Sequence, residues 1–163
     1  MITAAPAAVP LLDEQICFAL YSASRAITAT YRDLLAPFGL TYPQYLVLLV
    51  LWEDGTTSVS GLGRRLQLDS GTLSPLLRRL EATGLVQRSR SRADERSVVV
   101  ALTPAGDALR TEVGSVPDRI CAATGLDREA IAQLTSVVTT LASSVRGADA
   151  EPGTPAPGTP LAS

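Results

Sequence analysis

Cys17 and Tyr21 stand four residues apart in EQICFALYSASR, residues 14–25. On a helix that spacing places both side chains on one face. Tyr31 shares the angular position of Cys17 but lies about 21 Å further along the axis at 1.5 Å per residue, out of reach within one chain. Two copies of the helix crossing antiparallel near Ser24, midway between the two positions, bring each Cys17 against the Tyr31 of the other copy. Phenol hydroxyls that donate to a sulfur favour the thiolate, and the thiolate is the form that attacks a peroxide. The spacing therefore points to a composite thiol site between two subunits, with an apolar wall that admits a greasy oxidant. The competing reading is a cysteine that serves only as a small core hydrophobe.

Other chemistries are poorly supplied. The 163 residues contain no histidine and two cysteines, which removes imidazole from any acid–base step and leaves a poor basis for a zinc site. Neither a metal nor a cofactor is expected. The serines have no histidine base for a hydrolase triad. GLGRRL lacks the third glycine and the preceding strand of a dinucleotide fingerprint. The chain is thus expected not to be an enzyme; a thiol peroxidase would leave its basic region idle.

That region is the second informative feature. All fourteen basic residues are arginines, and nine of them lie between Gly61 and Arg110 against five acids, a balance of +4. The remainder holds five arginines against eleven acids, −6, within a net charge of −2. An acidic body with a basic insert suits a protein of which one part meets phosphates.

The elements that must position these residues follow from periodicity and caps. Apolar residues at helical spacing from Ile16 to Leu35 predict one long helix over 11–37, ended by Pro37 and Gly39. Thr41 and Gln44 stand in capping-box spacing ahead of a buried helix that closes at Asp54 and Gly55. SVSGLGRRLQL and SGTLSPLLRRLEATGL read as two helices around a tight turn, with Asp69 or Ser70 as N-cap, which is a helix-turn-helix. LVQRSR and ERSVVVAL flank a polar turn and predict a hairpin. Thr103 and Pro104 open a helix running to about Ala123, and another covers 127–145. The fold class is mainly α, of α+β type. Residues 1–10 are expected to be a flexible N-terminus, 11–146 one domain, and the Pro/Gly/Ala-rich 147–163 a disordered tail. No run reaches the ~18 apolar residues of a membrane span, and the N-terminus lacks the pattern of a secretory signal. A cytoplasmic protein with reduced thiols and no membrane partner is expected.

A helix from Ser70 presents Ser70, Thr72, Ser74 and Arg78 on a polar face, with Leu73, Leu76, Leu77 and Leu80 toward the core, and it fits a DNA major groove. Arg64, Arg65, Arg79 and Arg88 are phosphate candidates. Arg90, Arg92 and Arg96 lie at the hairpin tip, where arginine can enter a minor groove. All seven aromatic residues fall between Phe18 and Trp52, so none is placed to stack on unpaired bases. Duplex DNA is therefore the expected nucleic acid.

The helix-turn-helix, the hairpin and DERSVVVALTPAG, with Asp94, Arg96, Leu102, Thr103 and Gly106, resemble the MarR family of winged-helix repressors over about residues 11–145. The resemblance implies a homodimer built on terminal helices (11–40 and 104–146), a winged helix-turn-helix over 41–103, and a pseudo-palindromic operator. CFALYSASRAI together with GLTYPQYLVLLVLWE is similar to the organic-hydroperoxide-sensing branch of that family (OhrR). By that resemblance Cys17 is the peroxide-reactive cysteine, Tyr21, Tyr31 and Tyr42 surround its sulfur, and Cys121 resolves the sulfenic acid as an intersubunit disulfide that releases DNA. The genes released would include a hydroperoxide-detoxifying peroxidase. Two readings stay open here: Cys121 as a buried structural cysteine, and a repressor released by a small phenolic or apolar ligand, as in many family members.

Overall fold

The computed structural model describes residues 11–91 and 97–148. The N-terminal segment 1–10, the tail from residue 149 onward, and Arg92, Asp94 and Arg96, assigned above to the flexible ends and the hairpin tip, lie outside the described residues. The chain divides into two compact units, residues 1–120 and 121–163. The first carries α1 (Ile16–Leu35), α2 (Tyr42–Asp54), β1 (Thr57–Ser58), α3 (Val59–Leu66), α4 (Ser70–Ala82), β2 (Val86–Arg90), β3 (Val98–Leu102), α5 (Pro104–Glu112) and the start of α6 (Val116–Thr124). The second carries the end of α6 and α7 (Arg128–Ala148), so the last helix continues through Gly147 and Ala148, past the expected tail boundary.

Local chemistry sets most boundaries. The helix expected over 11–37 is shorter at both ends. Extended backbone at Gln15 separates α1 from a 3-10 turn, Leu12–Glu14. At the other end Pro37 falls in a 3-10 turn, Ala36–Phe38, closed by Gly39 in the left-handed region at φ 66°. Thr41 caps α2: its N–H donates to Gln44 Oε1 at 2.8 Å, and its hydroxyl to the same atom at 3.0 Å. Asp69 caps α4, accepting the Thr72 N–H at 2.8 Å and the Thr72 hydroxyl at 3.1 Å. The single helix expected over 104–123 is two helices, α5 and α6, broken at 113–115. Pro117 is the physical reason: in an unbroken helix its ring would press on the Val113 carbonyl and leave it unbonded, whereas in the first turn of α6 its missing N–H costs little.

The sheet has the order β1-β3-β2 and is antiparallel throughout. The hairpin pairs Val86 with Leu102 and Arg90 with Val98, and Ser91 N–H extends the ladder to the Ser97 carbonyl at 2.8 Å. The short edge strand β1, not foreseen in the sequence, sets Thr57 opposite Val100. Beneath the sheet Leu35, Leu48, Leu51, Leu62, Leu77 and Val100 are fully buried in one core. α2 is apolar on most of its circumference from Tyr45 to Trp52 and buries Gln44, Tyr45, Val47, Leu48, Val50 and Leu51, as a core helix does.

One corner fixes how the hairpin meets the helices. Gly106, in the first turn of α5, lies so close to the strand entry that a Cβ there would overlap the Leu85 carbonyl oxygen. The same oxygen accepts the Thr103 N–H at 3.1 Å. The Thr103 hydroxyl, 2.6 Å from the Gly84 carbonyl, also accepts the Gly106 N–H at 3.1 Å, and Trp52 Nε1–H donates to the Gly106 carbonyl at 3.0 Å.

Candidate DNA interface and thiol site

α4 turns the faces its sequence foresees. Leu73, Leu77 and Leu80 are buried and Leu76 packs against the core. Ser70, Thr72, Arg78 and Arg79 are exposed, and Ser74 is half-buried. Between α3, α4 and the hairpin runs an open groove of about 820 Å³ whose polar lining includes Arg64, Gln67, Ser70, Ser74, Arg88 and Ser97. Hydroxyls line it where close approach is needed, and its arginines provide positive charge. Arg90 is exposed on β2.

Not every arginine expected to meet phosphate is available on equal terms. Arg65 is held by Asp54 at 2.9 Å and by Glu53. Arg88 donates through Nε and Nη2 to Glu81 Oε2 at 2.9 and 2.6 Å, and its backbone N–H reaches Glu81 Oε1 at 3.2 Å. That clamp ties the hairpin to the end of α4, and the Arg88 guanidinium holds the Glu81 carboxyl below the usual carboxylate range.

The thiol residues divide into groups. Cys17 is exposed on α1, and both cysteines are free thiols. Ile16, Phe18, Leu20, Tyr21 and Ile27 are exposed on the same helix, Ile16 and Tyr21 by more than half (60% and 57%). Arg25 donates to the Tyr21 hydroxyl at 3.2 Å, and its guanidinium lies 5.5 Å from the ring centroid. Tyr31, at the far end of α1, stacks on Tyr42 with centroids 4.5 Å apart. The structure thus joins Tyr31 to Tyr42 and leaves Cys17 and Tyr21 at the opposite end of one helix. Cys121 is half-buried on α6, and its carbonyl accepts the Thr124 hydroxyl at 2.9 Å.

Two further aromatics extend the tyrosine pair. Tyr45 lies 6.0 Å from Tyr31, and Trp52 lies 6.2 Å from Tyr45 in an edge-on arrangement. Burial raises the phenols of Tyr42 and Tyr45, and Tyr42 adds to the shift at Tyr45. Both stay protonated at neutral pH and keep a hydroxyl donor. The signal for this row was present in the spacing of Tyr42, Tyr45 and Trp52, three and seven residues apart on one face of α2.

The transcriptional regulator SarA/Rot family model matches residues 29–113. The organic hydroperoxide resistance transcriptional regulator of Bacillus subtilis (strain 168) is 45% identical over 130 residues, covering 80% of this chain and 88% of the relative. The chain is a winged-helix transcriptional regulator of the SarA/Rot and MarR type. The regulator TtmR of Methylorubrum extorquens (strain PA1) is 54% identical over 115 residues, or 71% of this chain; the match spans 59% of that longer relative. Among solved structures, reduced AbfR bound to DNA aligns with a TM-score of 0.71 at 34% identity, covering 86% of this chain and 96% of that one. AbfR of Staphylococcus epidermidis is also known in a disulfide form, which aligns with a TM-score of 0.61 at 34% identity over 86% of this chain and 93% of that one.

In this winged-helix regulator α3 and α4 are the helix-turn-helix and β2–β3 the wing. Sequence reasoning missed Gln67, Glu81 and the Trp52–Gly106 contact. Glu81 carries a weak signal, an acid seven residues before an arginine across a glycine corner. The Trp52–Gly106 pair, 54 residues apart, carries none.

Proposed function

We propose that this regulator is a homodimeric, redox-controlled repressor. Its reduced form binds a pseudo-palindromic DNA operator, and an organic hydroperoxide releases it. The observation that carries this reading is the division of the thiol site along α1. Cys17 sits at one end and the Tyr31–Tyr42 pair at the other, on a helix whose apolar face is exposed in a single chain. Antiparallel pairing of two α1 helices covers that face and completes two sites at once. The Bacillus subtilis relative is an organic hydroperoxide resistance regulator, and AbfR exists reduced on DNA, overoxidised on DNA and in a disulfide form; these support redox control, with the disulfide as the state assigned here to release.

Each subunit offers α4 to a major groove, with Ser70, Thr72, Ser74 and Arg78 toward base edges, Arg64 and Arg79 toward phosphates, and Arg90 on the wing toward the minor groove. Arg92, Asp94 and Arg96 belong to the wing tip in this reading. In the thiol step the Cys17 sulfur attacks the terminal peroxide oxygen. The O–O bond breaks, sulfur is oxidised to the sulfenic acid, and the alkoxide leaves with a proton as the alcohol. The Cys121 thiol of the other subunit then attacks that sulfur, forming the disulfide and expelling water. Tyr21, Tyr31 and Tyr42 donate hydrogen bonds that favour the thiolate before attack. The rearrangement moves the two recognition helices out of register.

The test is binding to a duplex that the reduced protein selects from a random pool, before and after stoichiometric organic hydroperoxide, with non-reducing electrophoresis of the same samples. Release with a dithiothreitol-reversible crosslinked dimer, absent in Cys17→Ser and Cys121→Ser, is the expected result. Release without a crosslink reassigns Cys121 to the core and hands resolution to a small thiol. Binding that survives the oxidant overturns the peroxide reading in favour of a ligand-released repressor.

A further inference from the structure

We propose that Gln67 is a DNA-contacting residue, held in the left-handed backbone region so that its side-chain amide meets the phosphate backbone; this rests on the DNA-binding reading above. Among the described residues five have positive φ, and four of them are glycines: Gly39, Gly55, Gly84 and Gly125. Gln67 is the fifth, at φ 56° and ψ 39°. An L-residue other than Asn or Asp seldom occupies this region, because its Cβ crowds the following carbonyl.

The turn itself asks only for glycine. Gln67 ends α3, and Leu68 N–H returns to the Gly63 carbonyl at 2.9 Å, the pattern that glycine normally serves at a helix end. Among the described residues glycine occupies the other positive-φ positions and not this one. A residue kept at a conformational cost and placed at a binding surface is a functional residue by the logic of stored strain. The Gln67 side chain is exposed, as a side chain kept only for packing would not be. It lines the groove between the helix-turn-helix and the wing together with Arg64, Ser70, Ser74 and Arg88.

Its place in the turn decides what it meets. Gln67 precedes α4 by three residues and closes α3, the first helix of the helix-turn-helix, which in this motif crosses the DNA backbone while the second helix fronts base edges. A neutral amide there donates N–H to a phosphate oxygen and releases no counterion. Its loss therefore weakens all duplexes alike and leaves the salt dependence unchanged.

The experiment compares wild type, Gln67→Gly, Gln67→Asn and Arg64→Ala by thermal unfolding and by fluorescence anisotropy. The probes are the pool-selected duplex and a scrambled duplex of the same length, over a range of salt. Gln67→Gly is expected to unfold about 3 °C higher, as backbone crowding is relieved. Its affinity for both duplexes is expected to fall by the same factor, roughly tenfold for two lost neutral hydrogen bonds per dimer. Gln67→Asn, an amide that tolerates the left-handed region, should recover most of that affinity. Arg64→Ala should lower the salt slope by about 2 per dimer, while Gln67→Gly leaves it in place. Wild-type affinity in Gln67→Gly, a loss confined to the selected duplex, or a lower unfolding temperature overturns the proposal. A wild-type protein that selects no duplex overturns the DNA-binding reading instead.

Discussion

Replacing Gly106 with alanine drives a methyl group into the corner where the wing begins. The added Cβ overlaps the Leu85 carbonyl oxygen and lies 3.2 Å from Leu102 Cδ2. Leu85 cannot simply withdraw, because its carbonyl accepts the Thr103 N–H and its own N–H is bonded to the Leu80 carbonyl, both at 3.1 Å. Moving α5 instead stretches the Trp52–Gly106 hydrogen bond of 3.0 Å. Overpacking of this kind costs about 1–3 kcal/mol, and one or two hydrogen bonds add about 1 kcal/mol each. A total near 3–4 kcal/mol is a large part of the ~5–15 kcal/mol that holds a domain folded. In urea, with a slope of about 2 kcal/mol/M, the midpoint should drop by roughly 1.5–2 M. Affinity for the selected duplex should fall even where the variant is fully folded, since the same corner aims the wing. A loss under about 1 kcal/mol would show that the corner relaxes freely and would refute the reasoning.

Three further perturbations test other joints. Trp52→Phe keeps an aromatic ring beside Tyr45 but leaves the Gly106 carbonyl without its indole donor, and should cost about 1 kcal/mol in urea unfolding; an unchanged midpoint would mean that the bond is idle. Thr103→Val removes the cap of α5 and the hydroxyl contact to the Gly84 carbonyl, for about 2 kcal/mol, so a cost no greater than that of an exposed threonine counts against the corner. The Asp69 carboxyl is held below its usual range, chiefly by the Thr72 backbone N–H, and the Glu81 carboxyl chiefly by the Arg88 side chain. Folding therefore favours both ionised forms: their contribution is complete above the ordinary carboxylate value of about 4 and is lost as pH falls through the depressed folded values. Asp69→Asn retains a cap and should match wild type at neutral pH while declining less steeply in acid; an equally steep decline would place the acid sensitivity elsewhere.

What was legible in the sequence was local. Thr41 and Gln44, Asp69, and Thr103 with Pro104 announce their helices because the side chain that caps a helix lies within three residues of the N–H it satisfies. The faces of α4 were legible because leucine spacing alone fixes them. The break between α5 and α6 was hidden by periodicity: Val113, Val116 and Ile120 are all buried, so the apolar pattern runs on through the break, and only Gly114 and Pro117 mark it. β1 is two residues long and exists because β3 offers a second edge, a fact about the partner strand rather than about Thr57 and Ser58. For the same reason the engagement of Arg65 and Arg88 by acids was out of view: the partners lie 11, 12 and 7 residues away. Counting arginines measured the charge of the insert but not how much of it is free to meet DNA.

The arrangement also bears on how the proposed oxidation of Cys17 can govern the wing. In the proposed cycle, oxidation of Cys17 replaces the thiolate to which Tyr31 and Tyr42 of the other subunit would donate. Tyr42 opens α2, Tyr45 lies one turn on, and Trp52 stands near its end with its indole on the Gly106 carbonyl. Gln44, Tyr45, Val47, Leu48, Val50 and Leu51 of α2 are buried; a helix packed through so much of its length moves as a body rather than bending. In that cycle a displacement at its tyrosine end would reach the Trp52–Gly106 hydrogen bond at its other end, in the corner that Gly106, Thr103 and Leu85 fill. Coupling of this kind requires an element with two alternative seatings, not merely a chain of contacts. Among the described residues α2 carries both the ring contact to Tyr31 and the hydrogen bond to the root of the wing, so in the proposed cycle its position in the reduced and oxidised protein is the variable on which the switch turns.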